Sequence, residues 1–208
     1  MMRRVVGLGI AIVALAFAGC AQNIVQVRDI GPGSGEPLVL KRVAVAPFRA
    51  LPRAGAAALP ADATSLVASY VAEGFGARGI DTIPFSDVAS ALGNAEGGAD
   101  LAPAIAAARD KFGADALVTG TVYRFRNRDG EAMGSLNPSS VGFDVKIYRT
   151  SDGKLVWAAV FDHTQVALGA NALTAAQYPG GGTRWLTSAE LARWGALRLV
   201  REVPIATP

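Results

Sequence analysis

The 208-residue chain predicts a mixed α/β domain in which strand–helix units are followed by an antiparallel hairpin and a C-terminal helix packs against the sheet as a sandwich. Three observations carry that expectation. Residues 39–48 have a continuous apolar middle, Val43-Ala44-Val45-Ala46, which suits a strand covered on both faces. Leu66, Val67, Tyr70, Val71 and Phe75 then fall at helical spacing and form one apolar stripe. Further on, Val141, Phe143, Val145 and Ile147 alternate with Gly142, Asp144, Lys146 and Tyr148, the period of a strand with one buried side.

Two segments precede that domain. The chain opens with Arg3 and Arg4, an uncharged apolar run over residues 5–18, and then Phe17-Ala18-Gly19-Cys20. A positive start, an apolar stretch and small residues at its end are the parts of an export signal. The stretch is short for a membrane-spanning helix, which needs about 20 apolar residues, and Gly7, Gly9 and Gly19 interrupt it. Cys20 is the only cysteine in the chain and falls where the signal ends. These residues resemble the bacterial lipoprotein signals, although Phe17 is bulkier than the aliphatic residue usual three places before the cysteine. The resemblance implies that residues 1–19 are removed and that the Cys20 thiol and new amino terminus are acylated. Gln22, standing in place of an aspartate just after the anchor, implies by the same resemblance an outer-membrane protein facing the periplasm.

Composition fits one exported domain. Without residues 1–19 the basic side chains fall from 20 to 18 against 17 acidic ones, so the body is close to neutral. A nucleic-acid partner is not expected, since that function calls for a clustered basic face. With one cysteine there is no internal disulfide, and stability has to come from an apolar core. Residues 20–38 contain Gly31-Pro32-Gly33-Ser34-Gly35 and read as a lipidated cysteine followed by a flexible tether that stands the body off the membrane. Within it, Ile24, Val25 and Val27 can dock as an edge strand. Residues 39–204 form the single α/β domain.

Its elements follow in order. After the strand at 39–48, Pro52, Gly55 and Pro60 mark a loop, and Asp62 or Thr64 caps a helix running to about residue 77. Gly79 ends that helix, residues 80–85 form a short strand, and Ser86-Asp87 starts a brief helix through Leu92. A turn at 94–98 leads to a helix over 101–112 closed by Gly113. Residues 116–125, rich in Val, Thr, Tyr and Phe, make a strand, and 127–139 read as a loop. Ser151-Asp152-Gly153-Lys154 is a hairpin turn after which residues 155–164 return antiparallel. Burying one row of apolar pairs sets Phe143 opposite Phe161, Val145 opposite Ala159 and Ile147 opposite Trp157. Val156, Ala158 and Val160 then lie on the second face, which the last helix or a partner has to cover. Residues 166–186 look irregular. Thr187-Ser188-Ala189-Glu190 matches a capping box, Leu191, Trp194, Leu197 and Val200 line one side of the helix it opens, and Pro204 stops it.

With the elements placed, the segments KRVAVAPF, GADALVTGTV and IYRTSDGKLVWAAVFD resemble the N-terminal domain of TolB and the related periplasmic lipoprotein domains of CsgG and LpoB. The likeness spans residues 40–164. It implies a non-enzymatic envelope module that acts as an adaptor, an activator or an assembly part for a cell-envelope protein complex, with self-association open. An oligomeric secretion or transport component of the outer membrane, like CsgG, is the alternative. The hairpin-length segments 127–140 and 165–186 are rich in Gly, Asn and Pro and lack the alternation of inserted strands.

Candidate site residues are few. Arg124, Arg126 and Arg128 alternate with Phe125 and Asn127, so in an extended strand they share a side at about 6.8 Å intervals and suit a carboxylate or phosphate partner. His163, the sole histidine, stands beside Asp162 and is the one candidate base. Gly180-Gly181-Gly182 precedes a helix, but the strand that should precede an anion cradle is missing. No nucleophile elbow, phosphate-binding glycine loop or His/Cys metal spacing is visible, so no cofactor, metal or enzyme activity is expected.

Overall fold

A computed structural model describes residues 24–31, 35–53, 57–92, 101–167, 169–170 and 172–206. The export signal over 1–19, Cys20 and the turn at 94–98 lie outside the described residues. In chain order the elements are β1 (Val25–Val27), β2 (Arg42–Val45), β3 (Arg49–Ala50), α1 (Ala63–Gly76), β4 (Asp81–Ile83), α2 (Phe85–Leu92), α3 (Leu101–Phe112), β5 (Ala116–Arg126), β6 (Asp129–Glu131), β7 (Gly134–Asn137), β8 (Ser140–Arg149), β9 (Leu155–Thr164), α4 (Ala172–Ala175) and α5 (Ser188–Arg201). Six strands form a mixed sheet in the order β1-β9-β8-β5-β2-β4, with β3 added beside β5. The fold class is the one the sequence predicts: β2, β4 and β5 run parallel, and β5, β8, β9 and β1 alternate in direction.

The β8–β9 register pairs Phe143 with Phe161, Val145 with Ala159 and Ile147 with Trp157, as burial of one apolar row requires. A bulge beyond Ile147 leaves Val156 without a partner, because Tyr148 pairs with Leu155. Above this row lie α1 and α5, in one core that includes Val67, Val71, Phe75, Leu191, Ala196 and Leu199. The opposite face carries a smaller core, where Val88 of α2 and Ala104, Ile105 and Ala108 of α3 cover Ala44, Ile83 and Leu117.

Several expectations need correction. The first strand starts later and breaks: Val39 is 72% exposed, Leu38 instead bridges to Ile205, and Pro47 separates β2 from β3. Proline has no N–H to give the ladder, so the pairing with β5 pauses and resumes at Arg49, opposite Thr121. Asp62 stands at the start of α1 without a side-chain cap, and the inward stripe turns toward Ala63, Ala68 and Gly74, leaving Leu66 and Tyr70 half-buried. Residues 127–139 are not a loop but hold the β6–β7 hairpin, joined by Ala132-Met133 and bent by a bulge at Gly130, whose φ is +106°. The irregular stretch 166–186 contains α4 and a 3-10 turn at Pro179–Gly182. The tether is shorter than residues 20–38, because β1 pairs with β9.

The largest correction concerns α5. It does not cover Ala158 and Val160; it packs on the Trp157–Phe161 side, and the bulge turns Val156 into that same main core. Its capping box is present as predicted, with Thr187 Oγ1 accepting from the Glu190 N–H and Glu190 accepting from the Thr187 N–H. Arg78 donates to the carbonyls of Val200 and Val203 at 2.8 and 2.6 Å, closing the far end of α5 with a residue just beyond α1. Contact between α5 and the sheet is so close that a Cβ on Gly195 would sit 2.6 Å from the Phe161 ring. Alanine at position 195 would gain about 1 kcal/mol of helix propensity, but overpacking against a fully buried ring costs about 1–3 kcal/mol. Gly195→Ala is therefore expected to lower stability in urea denaturation; an unchanged or higher midpoint would mean that α5 is not seated on Phe161.

Candidate functional site

The sheet face opposite α1 and α5 has no helix over most of β8 and β9 among the described residues. It presents Asp144, Lys146 and Tyr148 from β8, and Ala158, Val160 and Asp162 from β9. Ala158 stays dry because it is small and lies opposite the long aliphatic stem of Lys146, while Val160 lies opposite Asp144.

At one end of this face an ion cluster forms around Asp162. The ladder sets Gly142 between Arg124 on one side and Asp162 on the other. Without a side chain at 142, the Tyr123 ring lies across the strand, where a Cβ would come within 2.5 Å of it. A bulge between Val122 and Arg124 turns Tyr123 onto this face. Its hydroxyl donates to the Phe143 carbonyl at 3.3 Å, and the Arg53 guanidinium stacks 4.4 Å from the ring centroid. Arg53 then reaches Asp162 at 2.9 Å, and Arg124 closes on the other carboxylate oxygen. Burial, followed by the nearby Asp162 charge, pushes the Tyr123 hydroxyl up to about 12, so it keeps its proton at neutral pH. Oδ1 of Asp144 and Nε of Arg124 are buried with no hydrogen-bond partner among the described residues. Arg53 and Arg124 thus stand with Asp162 and Asp144 around the Tyr123 ring, two guanidiniums against two carboxylates.

The three arginines singled out by spacing therefore separate. Arg124 is matched by Asp162 and also donates to the Val141 carbonyl at 3.4 Å. Arg126 is exposed and donates to the Pro138 carbonyl at 3.2 Å. Arg128 lies past the end of β5, where its guanidinium donates to the carbonyls of Gly130 and Trp185. The alternation was legible, but the bulge and the strand end that divide the three were not.

His163 and Asp162 are not a pair. Neighbours along a strand point to opposite faces, so His163 enters the main core, 8% exposed, between Phe161, Tyr178 and Trp194. Its Nε2 lies 2.5 Å from the Tyr178 hydroxyl, which also accepts the Val166 N–H at 3.1 Å. Which of the two donates follows the His163 tautomer. Burial, followed by the Arg124 charge, brings His163 down to about 4. The glycine run is a tight turn: Gly180, Gly181 and Gly182 have φ of +75°, +67° and +74°, and a Cβ on Gly182 would meet the Ala175 carbonyl at 2.4 Å. The N–H of Gly181 is already given to Tyr178. Sequence reading missed Arg53, Tyr123 and Tyr178. Register across β5, β8 and β9 could have aligned Arg124, Gly142 and Asp162; nothing local points to Arg53.

Comparison with solved structures places the chain near two crystal forms of a PelC dodecamer from Paraburkholderia phytofirmans. They match 88% of this chain and 98% of theirs, with TM-scores of 0.53 and 0.55 at 17% and 19% identity. At that identity the likeness establishes a shared fold. Looser matches are the lipoprotein GNA1162 from Neisseria meningitidis (TM-score 0.42, 16% identity, 60% of this chain and 81% of that one) and the LpoB C-terminal domain from Escherichia coli (TM-score 0.42, 12% identity, 62% and 86%). No family model and no curated protein matches the chain.

Because folding lowers the His163 pKa from its ordinary 6.5 to about 4, the unfolded chain holds an extra proton between those values. Stability is expected to fall by about 3 kcal/mol as pH drops from 6.5 to 4, and His163→Gln should remove that slope when urea midpoints are compared. Equal slopes would show that His163 is accessible to protons in the folded state. Asp162→Asn, which leaves Arg124 facing a neutral group, should cost about 1–3 kcal/mol by the same measurement.

Proposed function

We propose that this chain is a lipid-anchored envelope protein, held through Cys20 on the periplasmic face of the outer membrane, that works by assembly and not by chemistry. Copies of the chain associate with one another, and the open sheet face around Asp162 docks an envelope protein partner. The observation that carries this reading is the likeness to PelC, whose crystals hold dodecamers, across 98% of that protein's resolved length. The signal-like residues ending in Cys20 supply the anchor and the compartment.

The side chains that might have suggested catalysis are held by structural partners. His163 is neutral and bonded to Tyr178, and the Tyr123 hydroxyl is given to a backbone carbonyl. Arg53, Arg124 and Asp162 instead form a preorganised surface, whose ordering cost is met on folding and not on docking. A second reading, an oligomeric secretion or transport component of the outer membrane, shares the dodecamer likeness. Inserted strands for such a pore would need about 9–11 residues each, and β6 and β7 have three and four.

Wild type and Cys20→Ala expressed in a Gram-negative host test the proposal. Wild type is expected to carry the added acyl mass, to fractionate with the outer membrane and to run as an assembly in detergent by light scattering. Cys20→Ala should be released into the periplasm. An unmodified Cys20 would remove the anchor, and monomers at all concentrations would remove the assembly.

A further inference from the structure

The anchor and the fold together set how the domain stands on the membrane. Three residues separate Cys20 from Ile24, and Ile24 is 4% exposed, locked in the main core. Fully extended chain advances about 3.3–3.6 Å per residue, so Cys20 lies within about 14 Å of Ile24. There is no long tether on this side. The Gly31-Pro32-Gly33-Ser34-Gly35 run lies after β1, inside the body's own connections.

Direction follows from the ladder. β1 is antiparallel to β9 with Val25 beside Phe161, so the chain leading back from Val25 heads toward His163 and Thr164. That end of the sheet also holds the last residue of β5, Arg126, and the first of β8, Ser140, with the β6–β7 hairpin between them. Met133 at the hairpin turn is 83% exposed and Leu136 is 91% exposed, the two most exposed large apolar side chains among the described residues. Leu173 of α4, 63% exposed, belongs to the segment that Tyr178 ties to His163 at the same end. The backbone around Trp185 is fixed to the hairpin through its N–H to the Ala132 carbonyl. At the opposite end, the β8–β9 turn is Ser151-Asp152-Gly153-Lys154, which is polar throughout.

Resting on the Cys20 anchor proposed above, we infer that the β6–β7 hairpin is a membrane-contacting element, with Met133 and Leu136 seated among the lipid acyl chains. Two apolar side chains at a rigid hairpin bind weakly alone, as a single short lipid chain does. Joined to an acylated Cys20 they act at high local concentration. A lipid surface is the occupant because the anchor brings the bilayer to this end whether or not a partner is present. Arg126, exposed beside the hairpin, suits a lipid phosphate, while Glu131 limits attraction to anionic head groups, so the contact is mainly apolar.

In the acylated full-length protein the Cys20 sulfur is already a thioether, so an introduced cysteine is the only free thiol. Met133→Cys and Leu136→Cys, labelled with an environment-sensitive fluorophore in phosphatidylethanolamine/phosphatidylglycerol vesicles, are expected to shift to the blue and to lose emission when nitroxide lipids are included. Ser151→Cys, at the far turn, should do neither. Intact mass on the same samples reports acylation. Acylated protein with no lipid quenching at 133 and 136 overturns the membrane contact while leaving the anchor standing, and a blue shift without lipid quenching assigns the hairpin to a protein neighbour instead. An unacylated sample overturns the inference through its premise.

Discussion

The register between β8 and β9 is the constraint on which the rest of this structure depends. Phe143 over Phe161 and Ile147 over Trp157 put the apolar row on one side, and a slip of one residue would turn all of them to the other face. The same register fixes what α5 meets, since Gly195 is seated on Phe161, where a Cβ would sit 2.6 Å from the ring. It also fixes the opposite side, where Asp162 comes level with Gly142 and, one strand further, Arg124. The core and the ion cluster are two faces of one alignment.

That arrangement explains why one face of β8 and β9 carries no helix over most of its length among the described residues. Both α1 and α5 are drawn to the side with the large side chains, tied to each other by Arg193 to Glu73 at 2.9 Å and by Arg78 at the end of α5. On the other side α2 and α3 follow the parallel strands and reach no further than Tyr148 of β8. Over β8 and β9 the apolar residues are small enough for Lys146, Asp144 and Tyr123 to shelter them. A wet antiparallel face of this kind is stable alone and still offers a firm polar platform.

The N-terminal segment belongs to the same logic. β1 adds three residues to the edge of β9, and Leu38 later closes on the C-terminal segment, its N–H to the Pro204 carbonyl at 2.6 Å and its carbonyl to the Ala206 N–H at 2.9 Å. The chain before the central strands is therefore held at two places, at β1 and at Leu38. Short edge strands also blunt an otherwise open ladder.

What the sequence by itself determined is what depends on neighbours along the chain. Alternation over 141–148, the Asp-Gly turn and its register and the capping box at Thr187 are all local, and each local preference agrees with its neighbours. The alternating arginines looked like one site, because spacing alone does not see a bulge at Tyr123 or the end of β5. Only the tertiary structure decided which face α5 covers, since the row with Trp157 and Phe161 and the row with Val156, Ala158 and Val160 are both apolar in sequence. Ring volume settled it: the larger side chains gain more by burial, and the smaller ones can be sheltered by their neighbours. The tertiary structure also parted His163 from Asp162, sending one to the core and the other to the open face, because adjacent residues on a strand point in opposite directions.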